Sequence, residues 1–269
     1  MNTDIHETTA LVIDHVGGQG DGVSRMDGRA IHVPFSLPGE VVRVVEGRAR
    51  ARVLEIETPS PERTAPVCQH FGVCGGCALQ HWQDAPQLAW KGELVSRALA
   101  RRGIIHDVAP ALAVWGNGRR RANFHGRLGP SGFDFGFAQS KSHAIVDLAQ
   151  CPVLTPTLQD SLPRLRALAK ALVRKGEGLD LAVTETPTGL DVDVCGAGHM
   201  AGMGQRGLER LSQWAQEAQI GRLTLHGQTA VERTPPRVKM GRAIVTLPTG
   251  AFLQATKAGE DALARQVLE

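Results

Sequence analysis

No stretch of the 269 residues reaches the roughly 18 consecutive apolar residues that a membrane-spanning helix needs, so no membrane helix is expected. The N-terminal Met-Asn-Thr-Asp-Ile-His-Glu lacks the basic and apolar blocks of a secretory signal, which places the expected location in the cytoplasm. Cysteine is scarce: five residues in all, in a compartment that keeps thiols reduced, suit a metal site better than a disulfide framework. Internal repeats and low-complexity blocks are absent. The net charge of +3 is too small to imply nucleic acid by itself. What is present, 42% hydrophobic and 21% charged residues, describes a globular chain long enough for two or three small domains.

The few cysteines are not scattered. Cys68, Cys74 and Cys77 fall within ten positions, in Cys-Gln-His-Phe-Gly-Val-Cys-Gly-Gly-Cys, and Cys151 stands far downstream in front of Pro152. Thiolates at such spacing, with Gly75 and Gly76 freeing the backbone, can wrap a compact metal centre. A remote fourth cysteine followed by proline is more like iron–sulfur ligation than the paired knuckles of zinc. Zinc completed by the flanking His70 and His81 is one alternative, and four unrelated cysteines another.

Charge is unevenly placed. Residues 1–67 hold seven Arg and no Lys against ten acidic residues. Residues 86–130 hold Lys91, Arg97, Arg101, Arg102, Arg119, Arg120, Arg121 and Arg127 against Glu93 and Asp107, a local balance of +6. That segment is where phosphate contacts are expected, although a charge run can equally be a solvated face.

Periodicity predicts strands at Thr9–Ile13, Ala30–Val33, Glu40–Val45 and Ala51–Ile56, separated by glycine turns, which fits a small Greek-key barrel of the OB type. Thr58–Pro61 reads as a stiff linker. A helix is expected over Asp84–Arg102, then strands Arg121–Leu128, Phe133–Ala138 and His143–Leu148, the first two joined by a turn through Pro130 and Ser131. A helix over Leu158–Val173, an antiparallel hairpin Leu179–Glu185 with Leu190–Cys195, a helix over Leu208–Ala218, further strands up to Leu247 and a helical tail Lys257–Glu269 complete the pattern. Gly196-Ala-Gly198-His-Met-Ala201 matches a dinucleotide-binding turn in outline. The strand before it alternates Leu190-Asp191-Val192-Asp193-Val194 instead of being continuously apolar, so the glycines are read as a loop. Cys195 is read as a packing residue and not a nucleophile.

Several segments together resemble the iron–sulfur RNA (uracil-5-)-methyltransferases. They are Gly20-Asp-Gly-Val23, Val33-Pro-Phe-Ser-Leu-Pro-Gly-Glu40, Pro59-Ser-Pro-Glu-Arg63, the cysteine loop through Cys77-Ala-Leu-Gln80-His81, Gln87-Leu-Ala-Trp-Lys91, Gly136-Phe137, Cys151-Pro152 and Pro248-Thr-Gly-Ala-Phe-Leu-Gln254. The resemblance implies an α+β chain: a TRAM (OB-like) barrel over 1–62, a central α+β domain over 63–240 carrying a 4Fe–4S cluster, and over 241–269 the start of a Rossmann-like methyltransferase domain. It implies Cys68, Cys74, Cys77 and Cys151 as cluster ligands and Gln254 as a contact to S-adenosyl-L-methionine. It implies ribosomal or transfer RNA as the partner. A monomer is expected, and the candidate RNA contacts are Arg119, Arg121 and Arg127, which strand alternation puts on one face while Arg120 points to the other. Leu253, Ala255 and Thr256 depart from the family pattern. No residue matches the family's nucleophile motif, so the catalytic pair is expected beyond Glu269 and residues 1–269 alone are expected to be inactive. The competing expectation is a non-catalytic RNA-binding module holding an iron–sulfur cluster or zinc.

Overall fold

The computed structural model describes residues 8–45, 47, 50–115, 118–129, 132–174, 176–196 and 204–268. Two compact units divide the chain: residues 1–72 with 77–113, and residues 73–76 with 114–269.

In the first unit six short strands alternate with tight turns: β1 (Thr8–Val12), β2 (His15–Val16), β3 (Gly22–Met26), β4 (Arg29–Val33), β5 (Val41–Val45) and β6 (Arg52–Thr58). Asp27 and Gly28 both adopt positive φ, the conformation of a two-residue hairpin turn that matches strand twist, and so pair Met26 with Arg29. Two antiparallel sheets result, β1-β5-β6 and β2-β3-β4. Their alternating side chains bury Leu11, Ile13, Ile31, Val33, Val42, Val44 and Ala51 in one apolar cluster. β2 and β3 lie between the expected strands Thr9–Ile13 and Ala30–Val33, flanking the glycine turn over 17–22, where no strand was expected. The expected linker is also structured: β6 runs to Thr58, and Ser60 is buried.

Helix α1 (Asp84–Ala100) follows, with Asp84 at its positive end and Arg97 in its last turn, both favourable to the helix dipole. Trp90 fixes it: its ring lies 5.6 Å from that of Trp82, and its Nε1–H donates to the Val16 carbonyl at 3.1 Å.

The second unit is built on β7 (Arg121–Gly129), β8 (Gly132–Ala138), β9 (Ile145–Asp147), α2 (Pro156–Leu172), β10 (Gly178–Thr186), β11 (Gly189–Cys195), α3 (Gly204–Glu217), β12 (Ile220–Leu225) and β13 (Gln228–Glu232). The strands form one sheet in the order β13-β12-β11-β10-β7-β8-β9. Helix α2 starts well: Thr155 Oγ1 accepts the Leu158 N–H at 3.3 Å, and Pro156 occupies the first turn, where its missing donor costs nothing. Leu158, Leu162, Leu165 and Leu168 recur at helical spacing and seal the stacked Phe124 and Phe135 into the core.

The expected hairpin of β10 and β11 is present, running from Asp180 opposite Cys195 to Thr186 opposite Gly189. The next step was not anticipated. β11 and β12 pair in parallel with α3 between them, a crossover inside an otherwise antiparallel sheet. The glycine segment after Cys195 therefore leads into a strand–helix–strand crossover; Gly198 and Ala201, like Pro130 and Ser131, lie outside the described residues. The hairpin β14 (Arg237–Met240) and β15 (Ala243–Thr246) and helix α4 (Lys257–Leu268) close the order. The α+β class holds. Among the described residues no helix is long and apolar enough to cross a membrane.

Candidate functional site

The cysteine loop is held by its own backbone. In the first unit the Phe71 N–H donates to the Cys68 carbonyl at 3.1 Å, and the Cys68 N–H donates to Gln80 Oε1 at 3.2 Å. Gly72 takes φ +89°, a turn that a side chain would resist. Cys68 and Cys77 are half-buried.

Residues 73–76 belong to the second unit and add to its sheet edge. The Ser140 N–H donates to Val73 O and the Gly75 N–H to Ala138 O, both at 2.9 Å. Gly75 is needed there, since a Cβ would stand 3.0 Å from Ala138 O and 3.3 Å from Ser140 N. Cys74 is buried against Phe137, Val146 and Leu148, and the Gly76 N–H reaches its Sγ at 3.4 Å, the kind of contact that steadies a thiolate. Cys151, also in this unit, is buried in the turn before α2, where its N–H donates to Gln159 Oε1 at 2.7 Å. Among the described residues no three His, Cys, Asp or Glu side chains are placed to hold a single metal ion.

Two side chains beside the loop stand out. His81 has no exposure, and neither of its ring nitrogens has a hydrogen-bond partner among the described residues; the same holds for Gln80 Nε2. Burial, then the charge of Arg63, pushes the His81 pKa down to about 4, against a smaller opposite pull from Glu40. The ring is therefore neutral at neutral pH. The sequence drew attention to His81 as a possible ligand but not to its isolation, which exists only once the chain is folded around it.

In the second unit two distant segments meet. Arg120, 9% exposed, pairs with Glu260, donates its Nε–H to Gln254 O at 3.2 Å, and gives its backbone N–H to Ala255 O at 2.8 Å. Burial raises the Glu260 pKa, but the hydrogen bond from Arg120 and then that from Lys257 outweigh it, so this carboxyl stays ionised below its ordinary range. Arg121 places its guanidinium 5.3 Å from the exposed ring of Phe252, within cation–π reach. Thus Arg119–Arg121 and Phe252–Thr256, far apart in sequence, form one neighbourhood around the half-buried Gln254. Arg119 precedes β7 and is exposed; Arg127, six residues beyond Arg121, is exposed on the same strand face as Arg121 and the His125–Asp180 pair. Arg120 turns inward, as the alternation requires.

Sequence reasoning missed Arg222. This 4%-exposed side chain grips Asp191 through two hydrogen bonds of 2.8 Å and caps Leu247 O at 2.9 Å and Pro248 O at 3.2 Å. Asp191 foremost, working against burial, holds its charge firmly in place. It fixes the entry to the Pro248–Gln254 segment. Cys195 corrects an expectation. It is exposed, because it ends β11 on the face of Asp191 and Asp193, opposite that of the buried Val192 and Val194. Burial, followed by Asp193 and Asp180, pushes its thiol up.

No family model matches the chain. Individual proteins do. An uncharacterized RNA methyltransferase of Caulobacter vibrioides is 43% identical over 258 residues, covering 94% of this chain and 62% of that protein. One from Brucella suis is 41% identical over 263 residues, 97% of this chain and 62% of its own length. This chain is similar to RNA methyltransferases almost throughout. It spans about 62% of the length of these relatives. A shorter match, 40% over 171 residues, is to the 23S rRNA (uracil(1939)-C(5))-methyltransferase RlmD of Halomonas elongata, covering 60% of this chain and 35% of that enzyme.

Proposed function

We propose that this chain is the RNA-binding and iron–sulfur portion of an S-adenosylmethionine-dependent enzyme that methylates uridine at carbon 5 in ribosomal or transfer RNA. The observation that carries the proposal is the likeness to RNA methyltransferases over 94% of the chain. The name of the RlmD relative favours ribosomal RNA over transfer RNA. In this reading residues 1–62 are an OB-type TRAM barrel, residues 63–240 the cluster-bearing domain, and residues 241–269 the beginning of the methyltransferase domain. Arg119, Arg121 and Arg127 meet RNA phosphates, and the enzyme works in the cytoplasm.

Cys68, Cys74, Cys77 and Cys151 are the cluster ligands in this reading. None of the four is joined in a disulfide, and the donor set is purely sulfur. A cubane carries its thiolates on separate iron corners, so it does not ask them to converge on one point as a lone zinc ion does. The Gly76 N–H on Cys74 Sγ and the unpaired donors of Gln80 and His81 suit a sulfur-rich guest. Gln254 lines the cofactor site in this reading; its carbonyl accepts from Arg120, and Arg222 anchors Pro248, where its segment begins.

S-adenosylmethionine supplies the methyl group. The uracil ring is made nucleophilic by thiolate addition at carbon 6, and loss of the carbon-5 proton to a base then expels the thiolate. Neither thiolate nor base is assigned to this chain: the raised thiol of Cys195 is the reverse of an activated nucleophile. Residues 1–269 by themselves are proposed to be inactive.

Two measurements test the reading. Anaerobically purified protein is expected to hold about four irons and four sulfides and to absorb in the visible, with each of Cys68→Ala, Cys74→Ala, Cys77→Ala and Cys151→Ala losing the cluster. Colourless protein with stoichiometric zinc defeats the cluster assignment. Deleting the gene in its source organism should remove one 5-methyluridine from the RNA mapped by mass spectrometry; an unchanged map leaves only a non-catalytic RNA-binding role.

A further inference from the structure

Among the described residues, three buried donors or acceptors without partners lie together in one small unit: Gln80 Nε2, His81 Nδ1 and His81 Nε2. Leaving a buried polar group unsatisfied costs its full desolvation penalty, and an aromatic ring of the same shape in place of His81 would avoid it. The neighbouring buried polar groups are all bonded. Glu40 receives Arg63, Leu37 and Ser60, and Ser36 donates to Val33 O. The isolation is therefore local to the two residues that follow the cysteine loop.

Their placement says what they could serve. Gln80 Oε1 takes the Cys68 N–H at 3.2 Å, so the amide nitrogen of the same rigid carboxamide also lies beside Cys68. The His81 ring packs 5.3 Å from Phe71, whose N–H bonds the Cys68 carbonyl, and 6.2 Å from Phe35, so two aromatic rings shield it from solvent. The His81 carbonyl accepts the Thr64 N–H at 2.9 Å, which fixes the residue that carries the ring. Arg63 and Glu40 are the charged groups whose fields act on it. With the ring neutral, one of its nitrogens keeps a hydrogen to donate.

We propose that Gln80 and His81 are positioning residues that donate hydrogen bonds to sulfur atoms at the Cys68–Cys77 end of the bound cluster, holding it and raising its reduction potential. This rests on the iron–sulfur reading above. Donors to cluster sulfur stabilise the reduced, more negative state, and partners outside the ligand sphere commonly change metal retention by about 10–100-fold.

The test uses the full chain, purified anaerobically with its iron. His81→Phe keeps the aromatic packing and removes both nitrogens. Its cluster is expected to have a more negative midpoint potential by optical redox titration and to release iron to a chelator about tenfold faster. The iron-free variant should melt no lower than the iron-free parent, because an unsatisfied group has been removed. His81→Asn, which restores an N–H, should recover part of the potential. Gln80→Glu keeps an oxygen for the Cys68 N–H but loses the amide donor, and should shift the potential the same way if His81→Phe fails to fold. Iron-bound variants with parental potential and release rate overturn the inference and leave the cluster reading intact. Parent protein without iron overturns both.

Discussion

Arg63 and Glu40 form a clamp inside the first unit: Arg63 Nη2 donates to Glu40 Oε2 at 2.8 Å while the carboxylate itself has no exposure to solvent. The Leu37 N–H at 2.8 Å and the Ser60 N–H at 3.2 Å complete the shell. The pair joins the turn before β5 to the segment after β6, and the same guanidinium also donates to Phe35 O at 2.8 Å.

Glu40→Gln leaves Arg63 with a neutral partner in a largely buried place and should lower unfolding stability by about 3 kcal/mol in urea titration. Burial pushes the Glu40 carboxyl up, but the hydrogen bonds from Arg63, Leu37 and Ser60 outweigh it and hold it below the ordinary range. Its stabilisation is therefore complete at neutral pH and lost as pH falls through the depressed folded value. The parent should lose stability over that acid interval, and Glu40→Gln should show a weaker dependence there. Parallel pH curves for the two proteins contradict the assignment.

Gly136 faces β9 so closely that an added Cβ would stand 2.0 Å from Val146 O and 2.8 Å from Leu148 Cγ. Backbone cannot yield as a flexible side chain can, so Gly136→Ala should cost at least about 2 kcal/mol. Gly92, inside α1 with nothing within 4 Å of its hypothetical Cβ, is the contrast. Gly92→Ala should stabilise by roughly 0.5–1 kcal/mol. Equal melting temperatures for the two variants contradict the packing argument.

Arginines 119, 120 and 121 should separate by assay. If Arg119, Arg121 and Arg127 neutralise about three phosphates on single-stranded RNA, log affinity falls with log salt at a slope near −2. Replacing Arg119 and Arg121 together by alanine should flatten that slope by roughly 1–1.5, equally for unrelated RNA sequences. Arg120→Ala should instead lower thermal stability, since its guanidinium is committed to Glu260 and Gln254. An unchanged slope in the double variant marks the run as a solvated face.

Cys195 is exposed yet should alkylate slowly. Burial of its sulfur first, then Asp193 and Asp180, favour the protonated thiol, so the reactive thiolate is depleted at pH 7. Iodoacetamide labelling followed by mass spectrometry should be slower than for an ordinary free thiol, and the gap should close as pH rises. Asp193→Asn should speed labelling, and Cys195→Ala should retain whatever iron the parent protein is found to hold. Labelling at the rate of an unperturbed thiol contradicts this electrostatic account.

Long periodic elements were legible in the sequence. Helix α1 is expected over 84–102 and found over Asp84–Ala100, and the β10–β11 hairpin pairs as its turn residues indicate. β3 was hidden by its glycine. Gly22 reads as punctuation, but a Cβ there would stand 2.1 Å from Ser36 Oγ, so close approach within the fold demands glycine in a strand. The parallel placement of β12 was hidden as well, because pairing across a helix leaves no local signature. At the candidate site the residue types were legible and their circumstances were not. Glu40 and Arg63 are 23 residues apart, and Arg222 and Asp191 are 31 apart, with no spacing rule to link them. The isolation of His81 depends on Phe35 and Phe71 closing around it.

Residues 73–76 carry a consequence for how such chains can be recombined. They contribute an edge segment to the second unit while residues on both sides of them, 1–72 and 77–113, make up the first. No single crossover point in a gene can therefore exchange one unit whole for that of another protein. A junction at residue 113 would transplant a sheet stripped of the Val73–Ser140 and Gly75–Ala138 bonds, and of Cys74 with them. Only a hybrid that takes the four-residue insert from the same parent as residues 114–269 keeps that edge intact, so it is the insert and that long segment that must descend together.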